Sequence, residues 1–131
     1  MRARAEQSRP RLAPWQERLA KETMTAHLSS EIAMIDLAQI CRLPLSHFIR
    51  AFSNTVGTAP YRWFVTERIE LAKILLAQSP LTLVDIALEC GFADQSHFTN
   101  TFVRHVGMSP GRWRTDHQVL TGHDRAAGRA A

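Results

Sequence analysis

A chain of 131 residues with 45% hydrophobic content has room for one domain and enough apolar side chains to fill its core, which excludes a disordered polymer. No apolar run approaches the roughly 18 residues of a membrane-spanning helix. The basic opening, Met1 to Arg11, is followed by no apolar segment, which excludes a secretory signal and makes the cytoplasm the default location. A formal charge of +4 and a pI near 9.8 favour a polyanionic partner, chiefly nucleic acid. Much of the excess lies in the end segments, at Arg2, Arg4, Arg9, Arg11, Arg125 and Arg129, so solvated tails are an equal reading of it.

In chain order, residues 1–13 read as a basic N-terminal tail. Pro14 to Leu28 reads as a helix with Trp15, Leu19, Met24 and Leu28 on its buried side. Residues 34–57 follow as helix, turn, helix, with Leu37 and Cys41 on the first stripe and Phe48, Phe52 and Val56 on the second. Pro60 then opens a long helix, 60–78, whose apolar face is Phe64, Ile69, Ala72, Leu75 and Leu76; Ser79-Pro80 ends it. Residues 82–107 form a second helix, turn, helix. Thr82 and Asp85 make a capping signature, and Leu83, Ile86, Ala87 and Cys90 follow at helical spacing. Gly91 ends that helix, Asp94 caps the next, and Phe98, Phe102 and Val106 recur every four residues until Gly107. Pro110 opens a short helix carrying Trp113. Residues 117–131 are small, polar and Gly/Ala-rich, the composition of a disordered tail. No strand pattern is present, so the fold class is all-α.

The two helix-turn-helix segments are copies. Ile35-Asp36-Leu37-Ala38 matches Val84-Asp85-Ile86-Ala87, and Ser46-His47-Phe48 matches Ser96-His97-Phe98. Phe52 matches Phe102, and Pro60-x-Arg62-Trp63 matches Pro110-x-Arg112-Trp113. The offset is 49 in the first part and 50 thereafter, which places one inserted residue between Phe92 and Ser96. The first copy is less well punctuated. Ala33 stands where Thr82 caps, Arg42 where Gly91 turns, and Pro44 lies at the start of the second helix. It is expected to be the less rigid unit.

A helix-turn-helix lays its second helix in the major groove with its early residues against base edges. A linker of roughly 25 Å suits two groove segments about 34 Å apart. With Phe48, Phe52 and Val56 inward, the first candidate recognition helix turns Ser46, Ile49, Arg50, Ser53 and Asn54 outward, with His47 at the edge. The second turns out Gln95, Ser96, Thr99, Asn100 and Val103, with His97 at the edge. Arginine suits guanine, Gln and Asn suit adenine, and Ile or Thr suits a thymine methyl. Ile49 has no folding purpose on this reading and counts toward a contact surface. Arg62, Arg104, Arg112 and Arg114 are candidate phosphate contacts, with the backbone amides of the helix starts after Gly57 and Gly107. Any amphipathic helix has a polar face, and the repeat is what raises the functional reading above that.

Cys41 and Cys90 lie far apart, outside any C-x-x-C or Cys/His cluster, and read as buried structural thiols. His97 and His105 are eight residues apart, too far for a one-turn metal pair, and no H-E-x-x-H appears. No nucleophile–base pair or phosphate-cradling glycine loop is evident. The expectation is no enzyme, no cofactor and no metal. The rival reading is a protein-interaction module, or a degraded regulator that no longer binds DNA.

With these residues in view, the chain resembles the DNA-binding domain of the AraC/XylS family of transcriptional regulators. The likeness runs from about Trp15 to Arg114. It is densest at Ile86-Ala87, Gly91-Phe92, Asp94-Gln95-Ser96-His97-Phe98, Phe102 and Gly107-Met108-Ser109-Pro110, with Pro60, Arg68, Ala72 and Leu75-Leu76 in the linker. The resemblance implies a DNA-binding domain over 14–116, built of about seven helices as two homeodomain-like helix-turn-helix subdomains joined by the long linker helix. It implies sequence-specific binding of double-stranded promoter DNA in bacteria, regulation through RNA polymerase, often as an activator, and a nucleoid location. Its base-reading sites fall on Ser46, Ile49 and Arg50, and on Gln95, Ser96, His97 and Asn100. Asn100 stands where an arginine is common, and Arg42 and Pro44 replace the usual Gly and Ser. About a dozen residues precede the first helix and no small-molecule effector domain is evident. The chain resembles the family's short single-domain type, or equally a piece of a longer regulator.

Overall fold

The computed structural model describes residues 9–118, and among them holds seven α-helices and no strand. They are α1 (Pro14–Ala26), α2 (Met34–Ile40), α3 (Leu45–Val56), α4 (Pro60–Gln78), α5 (Leu83–Glu89), α6 (Gln95–Val106) and α7 (Pro110–His117). They group into two compact units, and the chain passes from one to the other between Glu67 and Arg68, within α4. Of the disordered tail expected over residues 117–131, His117 instead ends α7, stacked on Trp113 at 4.0 Å, and residues 119–131 lie outside the described residues.

The first unit closes over Leu12, Ala20, Met24, Leu37, Ala38, Cys41, Phe48, Ala51, Phe52 and Phe64. The second closes over Ile69, Ala72, Leu76, Ile86, Ala87, Cys90, Phe92, Phe98 and Phe102. Each unit is wedged by the same aromatic trio. Phe48 and Phe52 lie 5.8 Å apart, and Phe52 meets Trp63 edge-on at 6.3 Å and 74°. Fifty residues on, Phe98 and Phe102 lie 5.7 Å apart, and Phe102 meets Trp113 at 6.2 Å and 75°. Edge-to-face packing places a positive ring edge on a negative ring face, so these trios fix the angle of the helices that carry them.

Helix ends follow the chemistry of their caps. Thr82 Oγ1 accepts from Asp85 N–H at 3.1 Å, and Asp94 Oδ1 accepts from His97 N–H at 2.8 Å, each satisfying an amide with no intrahelical partner. In the first unit Ala33 and Pro44 stand at the N-caps of α2 and α3 and supply no side-chain acceptor. Gly57 and Gly107 close α3 and α6 in left-handed backbone, φ 95° and 91°.

Two packing expectations change. Trp15 is 46% exposed; the buried positions of α1 are Ala20 and Met24, and Leu12, from the segment ahead of the helix, enters the core. That segment is therefore built into the first unit as far back as Pro10, whose carbonyl accepts from Asn54 Nδ2 at 2.9 Å. Both cysteines are buried and free. Burial raises both thiols, and Cys90, next to Glu89 and only partly offset by Arg68, is pushed up to about 12.

Candidate nucleic-acid interface

In α6, Phe98, Thr101 and Phe102 are sunk in the core, which rotates the rest of the helix outward. Gln95, Ser96, His97, Asn100, Val103 and Arg104 are exposed, and Thr99 is half-buried. Ser96, Asn100 and Val103 fall at i, i+4 and i+7 and form one exposed stripe. His97 leans its ring edge-on against Phe92, centroids 5.3 Å apart at 80°. Phe92 also packs on Phe98 at 5.3 Å, and the buried Arg68 guanidinium lies 6.0 Å from its ring centre. Phe92 thus links the middle of α4 to the first turn of α6, where Asp94 has already fixed the helix start.

In α3, Phe48, Ala51 and Phe52 are sunk, and Ser46, Arg50 and Asn54 are exposed. His47 and Ser53 are half-buried, and Ser53 Oγ donates to Ile49 O at 2.8 Å. Ile49 departs from its expected exposure. It is half-buried and packs against the first core. The cause is a second apolar seam, Leu45, Ile49, Phe52 and Val56 at spacings of four, three and four, which widens the buried face of this helix. The matching positions of α6 begin with Gln95 and Thr99, so its polar face is broader.

Of the arginines proposed for phosphate, Arg62, Arg104 and Arg112 are exposed. The backbone amide of Arg112 is already held by Ser109 Oγ at 3.2 Å. Arg114 is half-buried, and its guanidinium donates to Leu76 O at 3.0 Å and Ser79 O at 3.2 Å, two carbonyls at the end of α4. Its repeat counterpart is the core residue Phe64, so this clamp belongs to the second unit alone. Sequence reasoning did not find Arg11, whose Nη1 donates to the backbone carbonyl of Asn54 at 3.3 Å across 43 residues. No local pattern signals that contact; the one hint was the apolar Leu12 directly after the basic run.

Each unit places a short helix, a tight turn and a second helix whose aromatic side is sunk and whose other side is polar and exposed, which is the helix-turn-helix fold made twice. The family described as "Helix-turn-helix domain" matches residues 37–116. The HTH-type transcriptional regulator ExsA of Pseudomonas aeruginosa is 35% identical over 91 residues, 70% of this chain and 33% of that protein. A transcriptional regulator of Chromobacterium violaceum, described as an AraC-type DNA-binding-domain protein, is similar in structure with a TM-score of 0.74 at 26% identity, over 82% of this chain and 95% of that one. The DNA-binding domain of the global transcriptional factor AdpA, solved with a target DNA, is similar with a TM-score of 0.73 at 27% identity, over 77% of this chain and 91% of that one. The chain belongs to the AraC-type helix-turn-helix family. It spans about a third of the length of the curated relatives it matches.

Proposed function

We propose that this chain is the sequence-specific DNA-binding module of a bacterial transcriptional regulator, acting at promoters and most simply as an activator through RNA polymerase. The observation that carries the reading is the duplication itself. Two helices with the same buried aromatic frame present different polar faces, which is what two non-identical subsites need. In α3 the base readers are Ser46, His47 and Arg50, with Ile49 at the margin, where its exposed part can meet a thymine methyl. In α6 they are Gln95, Ser96, His97 and Asn100. Arg62, Arg104 and Arg112 engage phosphates, and Arg114 adds the N–H groups its clamp leaves over. The chain acts as a binding protein without catalysis, in the cytoplasm at the nucleoid. Among the described residues no helix is long and apolar enough to cross a membrane.

The test is a gel-shift titration on duplexes taken from a random-library selection, repeated across salt. Four arginine–phosphate contacts, at a slope of about −0.9 each, give a fall of roughly 10² in affinity between 50 and 200 mM salt. A flat salt response, with no sequence enriched, would assign the fold to protein interaction instead.

A further inference from the structure

The two recognition helices end differently in sequence and alike in charge. The last turn of α6 carries Arg104 and His105. The last turn of α3 carries no basic residue, because Asn54 and Thr55 stand at the matching positions. It is on that turn that the N-terminal segment is fastened. Leu12 N–H donates to Thr55 Oγ1 at 2.8 Å, Asn54 Nδ2 donates to Pro10 O at 2.9 Å, and Arg11 Nη1 donates to Asn54 O at 3.3 Å. The Leu12 side chain is buried beneath these bonds, while Arg11 and Arg9 are exposed. The segment thus delivers a guanidinium beside Asn54, the residue of α3 that matches Arg104 of α6. Attraction of a cation to helix-end carbonyls accounts for one of Arg11's N–H groups. It does not account for the three-point fastening, nor for Arg9 beside it in a stretch, residues 1–13, with four arginines and one glutamate.

We propose that residues 9–12 form a DNA-contacting arm, in which Arg11 serves α3 as Arg104 serves α6. Arg11 grips a backbone phosphate flanking the first unit's subsite, and Arg9 grips its neighbour. The inference rests on the reading that α3 enters the major groove. The ligand is the phosphodiester backbone, so the arm adds affinity and footprint without adding base preference.

The experiment uses the full chain on a selected duplex, comparing wild type with an Arg9→Ala/Arg11→Ala double variant, its Lys/Lys counterpart and Arg104→Ala. The slope of log affinity against log salt is expected to fall by about 0.9 for each arginine removed, with affinity at low salt dropping roughly tenfold and the selected motif unchanged. Hydroxyl-radical protection is expected to shrink on one flank only for the double alanine variant, and on the other side of the site for Arg104→Ala. The Lys/Lys variant is expected to restore the slope. Thermal unfolding of the double variant reads the purely structural alternative. An unchanged slope, or an affinity loss that tracks lost stability at constant slope, overturns the arm. Failure of wild type to bind any duplex overturns instead the DNA reading beneath it.

Discussion

Arg42 and Gly91 hold the same place in the two repeats, and both are left-handed, with φ of 60° and 84°. The following amide reaches back five residues in each: Leu43 N–H to Ala38 O and Phe92 N–H to Ala87 O, both at 2.9 Å. Although Arg42 stands in place of the turn glycine, the turn of the first unit has the geometry of the second. What differs is the residue that bears it, since an L side chain in this region costs about 1–2 kcal/mol and glycine avoids that cost.

Swapping the turn residues should therefore act in opposite directions. Gly91→Ala is expected to lower stability by about 1–2 kcal/mol. Arg42→Gly is expected to raise it by up to about 1 kcal/mol, because relief of steric strain exceeds the added freedom of the unfolded chain. Urea unfolding midpoints check both, and a stabilising Gly91→Ala would contradict the assigned backbone.

Caps should transfer between the repeats. Removing Thr82 or Asp94 by alanine is expected to cost about 1 kcal/mol each, through the orphaned amides of Asp85 and His97. Ala33→Thr, which copies the Thr82 cap onto α2, is expected to gain about 0.5–1 kcal/mol. Denaturant unfolding with unchanged m-values is the measurement.

The Cys90 thiol gives a pH signature. Its pKa, raised by burial from 9.0 to about 12, means that the folded state keeps a proton the unfolded chain has lost. The stability this contributes is complete below about pH 9 and is lost as pH rises toward 12. The fall in stability across that window should be shallower in Cys90→Ala than in wild type. At pH 8 the native thiol should resist alkylation until the protein is unfolded. Rapid labelling of Cys90 in the native state would contradict its burial.

Arg50 stands alone as the exposed cation among the early residues of α3. Arg50→Ala is expected to relax preference at one base position by about 1–3 kcal/mol, with little change in stability. A binding selection on the variant reads this directly, and an unaltered motif would remove Arg50 from the base readers.

Most of the architecture was legible because duplication supplies its own alignment. Phe48, Phe52 and Trp63 could be read as a frame once Phe98, Phe102 and Trp113 repeated it. Capping at Thr82 and Asp94 was legible because it is local. Residues whose partners are distant were not. Arg114 reads as a surface cation until the end of α4 is placed beside it, and Arg11 reads as tail until α3 is. Ile49 turns inward because α3 carries a second apolar seam through Leu45, which the stripe of Phe48, Phe52 and Val56 alone does not reveal. The roles of the exposed side chains follow from what they meet on DNA, which exposure alone does not contain.

The most direct test of the account is a random-library duplex selection with the intact chain, repeated with Arg50→Ala and with Asn100→Ala. The expected result is one asymmetric motif with two different subsites, of which Arg50→Ala blurs one and Asn100→Ala the other. A perfect inverted repeat bound by a dimer, or a motif that neither substitution alters, would contradict it.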